Sequence, residues 1–143
     1  MSTSRRLLNA MTSDGLLIMP ALDYGTVSRY WNRAGPSIWG PYLMDGFGFP
    51  ASAGGFRFRG ECKIVKQLLD DVDRQGKVLD LGSGIGCWTE YFAQRFSSVV
   101  AIEASTPLFE AMEQRCGALA NVKLIHGDVM EFQPDGQIGR APV

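Results

Sequence analysis

The sequence has too few cysteines and histidines for a metal centre or a disulfide framework. Its 143 residues include three cysteines without paired spacing and one histidine, whereas a structural zinc site needs four such ligands. An odd number of unpaired cysteines is typical of a reducing compartment, so we expect a cytoplasmic protein with buried thiols and no metal. A reactive role is considered only for Cys87, because it falls in the first turn of a predicted helix, where the dipole lowers the pKa of a thiol.

Long apolar runs and a strong charge of one sign are also missing. No stretch approaches the roughly 20 apolar residues that cross a bilayer, which predicts no membrane span. The chain has 14 basic and 15 acidic side chains, and residues 1–60 carry six basic and three acidic ones. Neither half is basic enough to suggest nucleic acid, so the sequence predicts no nucleic-acid partner.

The most informative stretch is a short apolar run followed by alternating glycines. Residues 78–81 are typical of a strand covered on both faces. Gly82, Gly84 and Gly86 then remove every second side chain, so a ligand can approach the backbone. A helix that opens near Gly86 directs its free N–H groups toward this turn. Asp80 beside the turn repels a phosphate and attracts an ammonium group.

The pattern Asp80-x-Gly82-x-Gly84-x-Gly86 resembles the first motif of the class I S-adenosylmethionine-dependent methyltransferases. Two further motifs follow in the order that this family shows. Glu103 ends a second apolar strand over residues 98–102, and Asp128 follows a third strand over residues 122–125. The resemblance extends from about residue 61 to residue 132 and includes all three motifs.

The resemblance implies S-adenosyl-L-methionine as the cofactor and assigns a role to each motif. Glu103 would accept the ribose hydroxyls, and Asp128 would meet the adenine amino group beside an apolar contact from Val129. The hydroxyl of Ser83 would reach the carboxylate of the ligand or satisfy local backbone groups. His126 is expected to be structural. The implied cofactor-binding residues are Asp80, Gly82, Ser83, Gly84, Gly86, Glu103, Asp128 and Val129.

The predicted fold is an α/β Rossmann-like three-layer sandwich with a parallel sheet, ending after the third strand. Residues 61–143 would form a partial methyltransferase domain, with helices over residues 61–72, after Gly86 and from Thr106. Residues 1–60 would form an N-terminal extension, and glycine and proline within residues 24–58 predict that no long helix forms there. Its aromatic residues would form a lid over the site or a plug on the sheet edge; the lid candidates are Tyr30, Trp31 and Trp39.

The predicted function is methyl transfer to a small-molecule or amine acceptor. The glycine turn and the Tyr30-Trp31 pair are similar to amine N-methyltransferases, including those that act on phosphoethanolamine. The second half of the family's sheet would supply the acceptor wall, so no catalytic residue is named. The open edge of the first strand would favour self-association or a covering partner.

Two alternative functions belong to other classes. The chain could be a non-catalytic half-domain that binds cofactor weakly or packs on a partner. It could also be a nicotinamide-dependent oxidoreductase, although Cys87 replaces the third glycine of that fingerprint. The oxidoreductase alternative also leaves Asp128 without a role.

Overall fold

The computed structural model describes residues 23–32 and 50–133. The predicted lid residue Trp39 and the tail from residue 134 lie outside these ranges. None of the helices in the two described ranges is both long and apolar enough to cross a bilayer. The elements in chain order are α1 (Tyr24–Asn32), α2 (Ala51–Leu68), β1 (Lys77–Leu81), α3 (Cys87–Ala93), β2 (Ser98–Glu103), α4 (Thr106–Cys116) and β3 (Val122–His126).

The three strands form a parallel sheet in the order β1-β2-β3. Leu79 pairs with Val100, and Ile102 pairs with Ile125. Helices connect the strands, as a parallel arrangement requires. The predicted Rossmann-like α/β fold is therefore confirmed, and each predicted strand lies within one residue of its observed bounds.

The core is built around the central strand. Val99, Ala101 and Ile102 of β2 have no exposed surface, and Met112 of α4 is equally buried. By contrast, β1 is only half-buried and Leu81 remains 52% exposed. The prediction that β1 is covered on both faces is therefore wrong for the described residues. Within the described part of the chain, only the central strand has a strand neighbour on each side.

Helix α2 begins earlier than the sequence predicted. It starts at Ala51, directly after Pro50, and continues for 18 residues through Gly54 and Gly55. The prediction that no long helix forms before residue 58 is therefore wrong. Pro50 is the N-cap residue of this helix and has extended backbone, and both glycines are buried. The predicted division of the chain at residue 60 falls inside this helix and stays a prediction.

The shorter helices follow the predicted pattern. Helix α4 starts at Thr106 with Pro107 in its first turn, and Gly117 lies at its end. Helix α3 starts directly after Gly86. The indole of Trp88 in α3 lies within 5.0 to 5.8 Å of three other aromatic rings, those of Phe58, Tyr91 and Phe92. This aromatic cluster fixes α2 against α3.

Candidate functional site

The carboxyl ends of the three strands bring the three predicted motifs to one edge of the sheet. The backbone N–H groups of Gly82 and Ser83 both donate to the carbonyl of Ile102 at 3.0 Å. The N–H of Gly127 donates to the carbonyl of Glu103, also at 3.0 Å. These bonds tie the segments after β1 and β3 to the end of β2, where ligands bind in open α/β sheets.

The glycine turn after β1 uses three left-handed backbone conformations. Gly82, Gly84 and Gly86 have φ values of +68°, +57° and +80°. A Cβ atom on Gly86 would lie 2.9 Å from Cγ of Met112 and 3.0 Å from Sγ of Cys116. Apart from its two chain neighbours, no described residue has an atom within 4 Å of a Cβ placed on Gly82. Gly86 is therefore required by core packing, whereas Gly82 faces open space.

Glu103 lies at the centre of the site and is only 7% exposed. Its Oε2 accepts a hydrogen bond from the Gly84 N–H at 2.8 Å, and its Oε1 accepts one from the Ser105 N–H at 2.8 Å. A carboxylate has about four acceptor positions, so Glu103 keeps the capacity to accept two hydroxyl groups. The geometry therefore suits a vicinal diol.

Asp80 lies on the other side of the glycine turn, at the end of β1. Thr89 of α3 donates its hydroxyl to Oδ2 of Asp80 at 2.7 Å. Burial is the largest influence on the pKa of Asp80 and raises it, while the hydrogen bond from Thr89 opposes that shift. The site therefore holds a partly desolvated carboxyl group beside the glycine turn.

The side chain of Ser83 bonds to local backbone groups, which is one of its two predicted roles. Its hydroxyl lies 2.9 Å from the carbonyl oxygen of Asp80 and 3.3 Å from that of Ile102. A hydroxyl has one proton, so these two backbone acceptors share it. In this arrangement Ser83 stabilises the turn, and a contact from its backbone N–H or hydroxyl to a ligand stays a prediction.

Asp128 is held by two hydrogen bonds after β3. Its Oδ1 accepts from the Met130 N–H at 2.8 Å, and its Oδ2 accepts from the hydroxyl of Tyr24 in α1. The bond from Tyr24 is the main cause that lowers the pKa of Asp128, and the same bond raises the pKa of Tyr24. Sequence reasoning did not identify Tyr24. Its only signal was its position at the start of the aromatic segment.

Helix α1 is fastened to the start of α4 beside the site. Ser105 donates its hydroxyl to the Trp31 carbonyl at 3.0 Å, and the Thr106 N–H donates to Oδ1 of Asn32 at 3.2 Å. The indole of Trp31 packs against Ile85 and Leu108. Trp31 therefore lies behind the glycine turn, and it is Tyr24 that brings α1 to a predicted cofactor residue.

A cleft of about 210 Å³ opens above the glycine turn. Its walls are the first half of α2 and the start of α3, and its lining includes Arg57, Phe58 and Glu61. Helix α2 therefore forms the wall that the sequence assigned to Tyr30 and Trp31. A role for Trp39 falls outside the described residues.

Cys87 lines this cleft, but its thiol is not activated. Burial is the largest influence on its pKa and raises it, although Arg115 donates a hydrogen bond to Sγ at 2.6 Å and opposes the shift. The protonated thiol is therefore the favoured form. His126 stacks on Phe109 with ring centroids 4.7 Å apart, which agrees with a structural role.

Comparison with known proteins identifies a family for most of this region. The family model for ribosomal RNA adenine dimethylase matches residues 54–139. Ribosomal RNA small subunit methyltransferase A from Dehalococcoides mccartyi is 27% identical over 101 residues, which are 68% of this chain and 35% of that protein. The enzyme of the same name from Shouchella clausii is 39% identical over 84 residues, 57% of this chain and 28% of its own length. The chain thus spans about a third of the length of these relatives.

Solved structures support the fold. A SAM-dependent methyltransferase from Leishmania major superimposes with a TM-score of 0.59 at 15% identity, covering 76% of this chain and 42% of that one. Phosphoethanolamine N-methyltransferase 1 from Haemonchus contortus gives a TM-score of 0.52 at 17% identity, with coverage of 78% and 22%. Identities this low establish the shared fold alone.

These comparisons correct two predictions and exclude one alternative. The relatives are named for ribosomal RNA, so the predicted small-molecule or amine acceptor is wrong, and so is the prediction that nucleic acid has no part. The nicotinamide-dependent alternative is also wrong, because the family model covers the glycine turn and both acidic motifs. The chain belongs to the ribosomal RNA adenine dimethylase family, a branch of the class I S-adenosylmethionine-dependent methyltransferases.

Proposed function

We propose that this chain forms the S-adenosyl-L-methionine-binding part of an enzyme that methylates adenine in ribosomal RNA. The observation that carries the proposal is the meeting of the glycine turn, Glu103 and Asp128 at one edge of the sheet. The hydrogen bond from the Gly84 N–H to Glu103 joins two of these groups directly. The relatives' names supply the acceptor, adenine in small-subunit ribosomal RNA.

Each of the three motifs has a role that its chemistry supports. Glu103 would accept the two ribose hydroxyls, since both carboxylate oxygens keep acceptor capacity beside their bonds to backbone N–H groups. Asp128 would accept a hydrogen bond from the adenine amino group, with Val129 as the apolar neighbour. The methionyl part would lie along Gly82 and Gly84, with its cationic end near Asp80, where partial desolvation strengthens the attraction.

The chemistry asks the protein mainly for alignment. When bound, the cofactor supplies a methyl group on a sulfonium that is already activated for in-line displacement. The residues of this chain would fix the donor at the sheet edge and exclude water through the α2 wall. Orientation of two reactants in this way is worth up to about 7–11 kcal/mol. Residues that hold the acceptor adenine are not assigned. A cytoplasmic location stays a prediction from the unpaired cysteines.

A pair of glycine substitutions tests the cofactor site. Gly82→Ala should weaken the binding of S-adenosylhomocysteine at least about tenfold, because the new methyl group enters open space in the cleft. Its stability cost should be limited to the left-handed backbone, about 1–2 kcal/mol. Gly86→Ala should instead lower the melting temperature further, since the same backbone strain adds to overpacking against Met112 and Cys116, about 1–3 kcal/mol.

The measurements are isothermal titration calorimetry with S-adenosylhomocysteine and thermal unfolding of each variant. NAD serves as the ligand control and should bind poorly to the unchanged chain. An affinity that Gly82→Ala leaves unchanged, in a variant that is still folded, would show that the turn does not contact the cofactor.

A further inference from the structure

The outer face of α2 carries a row of basic side chains. Arg59, Lys63 and Lys66 are spaced i, i+4 and i+7, which places them on one face of the helix. All three residues are exposed. Across its 18 residues α2 has four basic side chains and one acidic one, whereas the whole chain has a formal charge of −1. Positive charge is thus concentrated on this helix.

These three cations have no partner among the described residues. Within residues 23–32 and 50–133, the side chains of Arg59, Lys63 and Lys66 make no hydrogen bond or ion pair. Arg57 differs, because it pairs with Glu61 on the side of the helix that lines the cleft. The cations of the outer row therefore remain available to an external anion.

An exposed aromatic ring completes this face at its end nearest the start of the helix. Phe56 precedes Arg59 by three residues, so it lies on the same side of α2, and it is 76% exposed. A base can stack on such a ring. Cations in a row with an aromatic platform are typical of single-stranded nucleic-acid binding. We call this surface, formed by Phe56, Arg59, Lys63 and Lys66, the basic face.

We propose that the basic face binds the phosphate backbone of the RNA substrate, on the outer side of the helix that forms a wall of the cofactor cleft. This inference rests on the proposed function and adds the surface on which the RNA lies. The helical rise of 1.5 Å per residue sets the three cations along about 10 Å, a length that suits two or three successive phosphates. The cleft is lined by Arg57, Phe58 and Glu61 on the other side of the same helix, so a strand on the basic face would lie about one helix diameter, roughly 10–12 Å, from the cleft.

The charges around the basic face favour RNA over an anionic membrane. Asp70, Asp71 and Asp73 follow the end of α2 and would repel a broad anionic surface at that end. The exposed apolar residues Ile64 and Leu68 are rotated well away from the three cations along the helix. A membrane-binding helix needs both features toward one plane, whereas a phosphate backbone needs only the row of cations.

The test compares two charge-matched double variants. Lys63→Gln/Lys66→Gln removes two cations from the basic face. Lys77→Gln/Lys123→Gln removes two exposed lysines near the starts of β1 and β3, at the opposite edge of the sheet from the cleft. The probe is a fluorescein-labelled RNA hairpin with adenines in its loop. Fluorescence anisotropy gives its Kd between 50 and 200 mM salt, and calorimetry gives the affinity for S-adenosylhomocysteine.

We expect the Lys63→Gln/Lys66→Gln variant to bind the RNA more weakly and with a shallower salt dependence. Each phosphate contact in a single strand contributes about 0.7 to the slope of log K against log salt, so the slope should fall by about 1.4. The Lys77→Gln/Lys123→Gln variant should retain the parent slope. Phe56→Ala should weaken binding without changing the slope, and every variant should bind S-adenosylhomocysteine like the parent.

Four outcomes would overturn the assignment. If both double variants lose the same slope, the RNA responds to net charge and not to this face. If the parent binds RNA and Lys63→Gln/Lys66→Gln binds equally well, the basic face is wrong while the proposed function survives. The same holds if Lys63 and Lys66 support binding to anionic lipid vesicles and not to RNA. If the parent binds S-adenosylhomocysteine but no RNA, the RNA part of the proposed function fails as well.

Discussion

At the scale of single residues, the hydroxyl of Tyr24 lowers the pKa of the Asp128 carboxyl group. The hydrogen bond between them is the largest cause that lowers the pKa of Asp128, ahead of the bond from the Met130 N–H. Tyr24→Phe should therefore raise the pKa of Asp128 toward its ordinary value, while the Met130 bond retains part of the shift. NMR titration of the Asp128 side chain would measure this change.

The same variant reports on cofactor recognition. If Asp128 meets the adenine amino group, Tyr24→Phe should alter the preference for S-adenosylhomocysteine over its inosine analogue, which lacks that amino group. Glu103→Gln serves as the control, because it should weaken both ligands through the shared ribose. A titration curve of Asp128 that is identical in the parent and in Tyr24→Phe would mean that the contact is not maintained in solution.

The sequence identified some site residues and missed others for a physical reason. Asp80 and Glu103 were predictable from the local sequence pattern, because each lies at the carboxyl end of an apolar strand and parallel strands end at one edge of the sheet. Tyr24 lies 104 positions from Asp128, and its contact depends on how α1 docks against α4. No periodicity within the first helix encodes that docking.

At the scale of secondary-structure elements, α1 supplies a cap to α4. The first N–H groups of a helix have no partner within the helix, and Oδ1 of Asn32 accepts the one from Thr106 at 3.2 Å. Ser105 provides no side-chain cap of its own, because its hydroxyl donates to the Trp31 carbonyl. The helix start thus depends on a residue from a distant element.

Loss of this cap should destabilise the protein by a predictable amount. Asn32→Ala should lower the free energy of unfolding by about 1 kcal/mol, the usual value of a helix cap. Asn32→Asp should lose less stability, because its carboxylate still accepts the bond and favours the positive end of the helix dipole, although it loses the hydrogen bond that the Asn32 amide donates to the Ser28 carbonyl at 2.9 Å. Urea unfolding would measure both, and equal losses in the two variants would show that Oδ1 of residue 32 does not cap α4.

Element boundaries were predictable where strands and turns alternate, but not in α2. The three strands and the start of α4 follow directly from apolar runs and from Pro107. In the segment before residue 61, Gly54 and Gly55 indicated a break, yet both are buried within the helix. The helix forms despite their low helix propensity, which costs about 1 kcal/mol per glycine. The burial of these two positions could not be predicted from the local sequence.

At the scale of the whole molecule, a net charge close to zero concealed an uneven distribution of charged residues. The formal charge of −1 argued against nucleic acid, and the names of the relatives overturned that argument. In our proposal the sum fails because Asp70, Asp71 and Asp73 cluster in the turn after α2, whereas the basic face carries three cations without acidic partners among the described residues. Association with an anionic polymer depends on such a local surface more than on the total.

The stability of the whole molecule should carry a pH signature of its cofactor site. Burial raises the pKa of Asp80, so the folded protein holds this proton more tightly than the unfolded chain does. Ionisation of Asp80 therefore reduces the free energy of unfolding, and this loss develops as pH rises from the ordinary carboxyl value of about 3.9 through the raised value. In our proposal, a bound cationic ligand would offset this loss.

Asp80→Asn should reveal how much the ionised Asp80 lowers the free energy of unfolding. The amide can still accept the hydrogen bond from Thr89, but it carries no charge to desolvate, so the variant should be more stable than the parent at pH 7. The advantage should shrink as pH falls toward 4, where Asp80 in the parent becomes protonated. Binding of S-adenosylmethionine should weaken at the same time, because the attraction to the sulfonium is lost.

Urea unfolding between pH 4 and 8 measures the difference, and Asp71→Asn, at an exposed position, corrects for the general loss of one negative charge. A stability difference that does not change with pH, or a variant less stable than the parent at pH 7, would mean that Asp80 is not a desolvated carboxylate held in readiness for a cation.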